Sequence, residues 1–199
     1  MARAIAKDHD EKRAQILKSA ARFFATEGFH RASMAQIAKA CGFSKANLYH
    51  YYDSKDALLF DLLQTYLSNL RDRICGLALN GCTPEDALRK TVAEILRAYQ
   101  GADHEHQVQI NALGALPRDQ QAVLRAYQRD MVTHMRGIVE RLAPETFARD
   151  PGRLRAATMS VFGMLNWYFM WAAGQGAAAR EEYAKTVADL TLGGVGSLA

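Results

Sequence analysis

The 199-residue sequence offers little to cross-link itself with and nothing long enough to cross a bilayer. Its three cysteines, Cys41, Cys75 and Cys82, form no even framework and no C-x-x-C pair, so reduced thiols in a cytoplasmic protein are the expectation. A membrane helix needs about 20 apolar residues in a row. The most apolar stretch, Met159–Ala173, is shorter and is interrupted by polar Ser160 and Asn166. The amino-terminal MARAIAKDHDEKR has charges but no apolar segment, so no signal peptide is expected. H-E-x-x-H, G-x-S-x-G and a glycine-rich phosphate loop are all missing. His104-x-His106 invites a metal reading, but residues i and i+2 of a helix point about 200° apart and cannot share an ion. No catalytic group, metal site or cofactor is expected.

Strand-length alternation is absent too, while helical periodicity runs through the chain. The fold expected is all-α with about nine helices. Residues 1–9 read as a loose basic arm, followed by a helix from Asp10 to Thr26 with Ile16, Leu17, Ala20, Phe23 and Phe24 on one face. Asp53-Ser54 caps a long helix reaching about Leu79, and Asn80-Gly81 breaks the pattern. Thr83-Pro84-Glu85-Asp86 combines a cap, a first-turn proline and acids, and opens a helix to Gln100. Further helices are expected over His104–Gly114, Arg118–Leu142, from Asp150-Pro151, and over Arg180–Leu192 ahead of a glycine-rich tail.

The stretch Ser33–Lys55 stands apart. Ser33 and Gln36 form a capping box for a helix starting at Met34. Gly42 sits where that helix must stop and turn, and Ser44 caps a second one carrying Lys45, Asn47, Leu48, Tyr49 and His50. Small Ala38 permits a close crossing, and Ile37, Cys41, Phe43 and Leu48 hold the angle. This is the residue economy of a helix-turn-helix, whose second helix enters a major groove amino end first. Charge agrees. Residues 1–56 carry ten Lys or Arg against six Asp or Glu, whereas residues 57–199 carry fifteen of each. A basic unit on a neutral body points to a polyanion partner for the former. The chain divides accordingly into a basic helix-turn-helix unit (1–56), expected to bind DNA, and a neutral body (57–199).

Ala21-x-x-Phe24-x-x-x-Gly28-Phe29, Ser33-Met34-x-x-Ile37-Ala38, Gly42-Phe43-Ser44-Lys45, Leu48-Tyr49-His50-Tyr51-Tyr52 and Ser54-Lys55-x-x-Leu58 together resemble the TetR family of bacterial transcriptional regulators. The resemblance covers about Ile16–Leu62. It implies a three-helix DNA-binding domain (1–56), a helical ligand-binding and dimerisation domain (57–199), a double-stranded operator, a homodimer, a small-molecule effector, and repression as the family's usual mode. It also assigns roles. Ser44, Lys45, Ala46 and Asn47 approach base edges and adjacent phosphates, Tyr49, His50 and Tyr51 lie along the groove, Ser33 and Met34 offer a helix amino end, and Lys55 meets the phosphate backbone. On chemistry alone Lys45 can donate to guanine O6 and N7, and Asn47 can pair with adenine.

The body offers two further expectations. Leu154, Thr158, Val161, Leu165, Tyr168 and Ala172 repeat at spacings of four and three, and with Tyr183, Val187 and Leu190 they are expected to form an isologous dimer interface. Tyr99, Gln109, Asn111, Met131, Met135, Met164, Asn166, Trp167 and Trp171 mix apolar surface with amides, as small-molecule cavities do. The stretch Asn166-Trp167-Tyr168-x-x-Trp171 and the ending Leu190-x-Leu192-Gly193-Gly194-Val195 look similar to family members of fatty-acid, steroid and aryl-acid catabolism. Those commonly respond to CoA thioesters, so an acyl-CoA or aryl-CoA inducer is one expectation, beside a generic hydrophobic ligand. A regulator governed by a protein partner and a helical enzyme are the alternatives.

Overall fold

The computed structural model describes residues 2–172 and 174–196. Ten α-helices follow one another: α1 (Ala2–Glu27), α2 (Met34–Cys41), α3 (Lys45–Tyr51), α4 (Lys55–Cys75), α5 (Pro84–Tyr99), α6 (Asp103–Ala112), α7 (Arg118–Leu142), α8 (Pro144–Arg149), α9 (Pro151–Trp171) and α10 (Ala177–Gly196). A 3-10 turn, Leu113–Ala115, separates α6 from α7, and there is no strand among the described residues. None of these helices is long and apolar enough to cross a membrane.

Packing divides the chain into two units. The first takes the chain up to Leu67 together with Gly101–Arg125; the second takes Ser68–Gln100 together with the residues from Ala126 on. Helices α4 and α7 therefore contribute residues to both. In the first unit α1 packs on α2 and α6, and α2 on α3. Ile16, Ala20, Ile37, Leu48, Leu58 and Leu59 are fully buried there. Each such Leu or Ile removed from water contributes about 1.5–3 kcal/mol. In the second unit α10 packs on α5 and α9, and α9 meets α5 and α8. Its core holds Leu88, Val92, Ile95, Val139, Phe147, Leu165 and Val187.

Four expectations change at this level. From Ala2 on, the expected basic arm is part of α1, where the Lys12 ammonium bonds the Asp8 carboxylate one turn back. Helix α4 stops at Cys75 rather than Leu79, with Gly76 closing it onto the Asp72 carbonyl. A six-residue helix, α8, opens on Pro144 where none was expected. Finally, α10 runs through Gly193 and Gly194 to Gly196, so the glycines do not begin a tail.

Candidate DNA interface

Two adjoining caps build the reading head. Ser33 Oγ accepts from the Gln36 amide at 3.3 Å, and the Gln36 side chain accepts from the Ser33 amide at 3.0 Å, completing the capping box of α2. At the other end Gly42 takes φ 75°, the Gly42 amide bonds Lys39 O at 3.1 Å and the Phe43 amide bonds Ala38 O at 2.9 Å. That is a Schellman stop, which requires a left-handed residue at Gly42. One residue after Phe43, Ser44 Oγ accepts from the Asn47 amide at 3.1 Å and starts α3.

Leu48 is the one buried residue of α3, at 0% exposure. Ser44, Lys45, Ala46, Asn47, Tyr49 and His50 are exposed, as expected of a groove-reading face. The Lys45 ammonium lies 5.7 Å from the centre of the Tyr49 ring. Tyr51 is different: it is half-buried and stacks on His9 of α1 at 4.9 Å, so packing takes its ring. Ser33 is exposed, but the Met34 side chain is buried and leaves only its backbone at the surface. Lys55 departs furthest from expectation. Its Nζ donates to the carbonyls of Phe29 (3.1 Å), His30 (3.2 Å) and Ala32 (3.2 Å). An ammonium has three donors, so none remains for a phosphate.

A polar hub behind α3 escaped the sequence reading. The Asp61 carboxylate accepts from Arg13 Nε at 2.8 Å, from a second Arg13 nitrogen, and from the Tyr52 hydroxyl at 2.5 Å. Arg13 also reaches Thr65 Oγ1 at 3.0 Å. The hub ties α1 and α4 to Tyr52, the carboxy-terminal cap of α3. Burial and the neighbouring Asp61 carboxylate hold the Tyr52 phenol well above its ordinary value of 10.0. Forty-eight residues separate Arg13 from Asp61, and no local pattern announces such a pair.

In the second unit the expected interface stripe is already used. Leu154, Thr158, Val161, Leu165, Tyr168, Ala172 and Val187 are buried within the single chain, so they have no surface left to give a second copy. Tyr183 is half-buried, stacks on Tyr168 at 4.8 Å and donates to Met164 O at 3.0 Å. Only Leu190 of that set is exposed. The exposed apolar face of α9 is the opposite one, with Met159, Trp167, Met170 and Trp171; Trp167 is 58% exposed, and Trp171 is 54% exposed with its ring edge-on to Tyr168 and Tyr183 at 5.0 Å.

Of the expected ligand residues, two meet and the others have different surroundings. Tyr99 donates to Asn166 Oδ1 at 2.7 Å, joining α5 to α9, and burial raises the Tyr99 phenol. Met131 and Met135 are buried in the core, and Trp167 and Trp171 lie at the surface. Met164 borders an apolar groove of about 310 Å³ between α9 and α10. Gln109 and Asn111 belong to the first unit, where Asn111 borders a cavity of about 250 Å³ floored by Phe24, Phe29 and Val108. His104 is exposed, while His106 is buried with its Nδ1 3.1 Å from the Tyr66 hydroxyl.

Known proteins share the fold. A TetR-family regulator from Bordetella parapertussis superposes with a TM-score of 0.84 at 33% identity, covering 90% of this chain and 93% of that one. The repressor NicS of Pseudomonas putida is 28% identical over 82% of this chain and 78% of its own. AibR, solved with isovaleryl coenzyme A and operator DNA, shares the fold with a TM-score of 0.76 at 22% identity, over 90% of this chain and 97% of its own. The match to the Bacillus subtilis regulator YdgC is 32% identical but spans only about half of each chain, 48% and 49%. Residues 16–62 fit the pattern of bacterial regulatory proteins of the tetR family, and residues 81–195 fit the tetracyclin repressor-like C-terminal domain. With one pattern holding the capped helix pair and the other more than half of the chain, this protein belongs to the TetR family of DNA-binding transcriptional regulators.

Proposed function

We propose that the chain is a ligand-responsive repressor that binds its operator as a homodimer. The observation that carries this is α3, which buries Leu48 and, with its cap Ser44, presents Lys45, Ala46, Asn47, Tyr49 and His50 to the outside. Lys45 and Asn47 are the base readers, on guanine and adenine edges. The exposed serines and the capped helix ends serve the phosphates. One helix-turn-helix makes too few contacts for a specific site, so two copies must act on half-sites about one helical turn (~34–36 Å) apart or a multiple. The apolar face Met159, Trp167, Met170 and Trp171, with Leu190 on α10, is the surface we assign to the second copy.

The effector is a small apolar molecule or a CoA thioester. The isovaleryl coenzyme A complex of AibR supports this class, as does the ketosteroid regulator KstR2 of Mycobacterium tuberculosis, which shares the fold with a TM-score of 0.80 at 17% identity. Release requires that the effector bind the DNA-incompetent spacing more tightly than the competent one. The test is displacement of the protein from a duplex it has selected out of a randomised pool, using acyl-CoA and aryl-CoA thioesters beside the free acids. A member of the panel should raise the apparent Kd about 5–150-fold, the usual range of such couplings. No response across the panel, with specific DNA binding intact, would favour control by a protein partner instead.

A further inference from the structure

Lys55 is the first residue of α4, where the helix dipole disfavours a cation. Something else must hold the ammonium there. The three carbonyls of Phe29, His30 and Ala32 converge on it at 3.1–3.2 Å, and the Phe29 ring lies 4.7 Å below. Phe29 is itself buried, edge-on to Phe24 at 5.3 Å. The carbonyls belong to the turn joining α1 to α2, and the residue that follows it, Ser33, is the cap of α2. The turn closes on itself through the Ala32 amide, which donates to the Phe29 carbonyl at 3.2 Å. The ammonium adds a second donor to Phe29 and supplies one each to His30 and Ala32, immediately before the reading head begins.

We propose that Lys55 is a positioning residue: a clamp that fastens the α1–α2 turn to the first turn of α4 and so fixes where α2, and α3 behind it, stand. The clamp does its work without touching DNA. Its effect on DNA rests on the groove-reading role given to α3 above. Geometry makes the residue type specific. A tetrahedral ammonium can aim three donors at three carbonyls gathered on one side, whereas a planar guanidinium spreads its donors in a fork. Arginine should therefore fail in the clamp. A phosphate contact would accept arginine readily.

Wild type, Lys55→Arg and Lys55→Met would be compared in two measurements. The first is amide hydrogen exchange over residues 29–36 in the free protein. The second is affinity, across a salt series, for a duplex selected from a randomised pool by the wild type. Both variants should exchange about tenfold to a hundredfold faster in that segment, the range for losing hydrogen bonds to a charged group. Both should bind the duplex about tenfold more weakly, with the salt slope of the wild type. The clamp is overturned if Lys55→Arg keeps wild-type exchange and affinity while Lys55→Met flattens the salt slope by about 0.9, the signature of one lost phosphate contact. It is also overturned if neither variant changes exchange. Should the wild type select no duplex, the DNA-reading role fails, and the exchange measurement still decides the clamp.

Discussion

Leu48 and Gly42 do different work in the same few residues. Leu48 is the anchor of a seven-residue helix too short to stand alone, so its packing decides whether α3 exists as a unit. Truncation to alanine should cost about 2–5 kcal/mol. Gly42 presses on nothing: a Cβ built there meets no atom within 4 Å, and only φ 75° opposes a side chain. Gly42→Ala should cost about 1–2 kcal/mol, the penalty for a left-handed L-residue. Urea unfolding of both variants checks the order. Equal losses would mean that the turn is strained by contacts the structure does not contain.

At the scale of elements, α7 carries a group whose charge the fold resists. His134 is half-buried and, among the described residues, its Nε2 has no hydrogen-bond partner. Burial, reinforced by Arg141, holds its pKa below the ordinary 6.5. The unfolded chain thus takes up a proton at a pH where the folded chain does not. Stability from this group is present above pH 6.5 and declines as pH falls through the lowered value. His134→Gln should flatten the loss of stability between neutral and mildly acidic pH, measured as urea midpoints. A variant that loses stability as steeply as the wild type would show that other groups govern the acid limb.

Which elements could be read from the sequence follows from how local their causes are. The caps at Ser33 and Ser44 and the stop at Gly42 are written within four or five residues, and each appears where the pattern placed it. The Arg13–Asp61–Tyr52 hub joins three helices and leaves no local trace. Lys55 was legible as a cation at a helix start, but its partners lie 23–26 residues away, and only the folded turn gathers them. Helix α9 was legible as apolar nearly all round. Large apolar residues stand on both of its faces, so apolar character could not say which one looks inward. The structure turns Leu154, Val161, Leu165 and Tyr168 into the core and leaves Met159, Trp167 and Trp171 outside.

For the molecule as a whole, that outward face is where a second copy would sit. Trp167→Glu places a charge in its middle without disturbing a buried residue. Loss of a tryptophan anchor at an interface costs about 2 kcal/mol or more. In sedimentation equilibrium the wild type should be dimeric, and the variant should shift toward monomer with unchanged helicity. A variant as dimeric as the wild type would place the interface elsewhere.

In the proposed regulator, paired copies of α3 read DNA through Lys45 and Asn47. Selection of duplexes from a randomised pool, run in parallel with wild type and Lys45→Ala, tests it most directly. The wild type should enrich an inverted repeat with half-sites one helical turn or a multiple apart. Lys45→Ala should enrich the same repeat with one position per half-site relaxed and affinity lowered by about 1–3 kcal/mol. Enrichment of no sequence, or of an unrepeated site with the same preferences in both proteins, would contradict it.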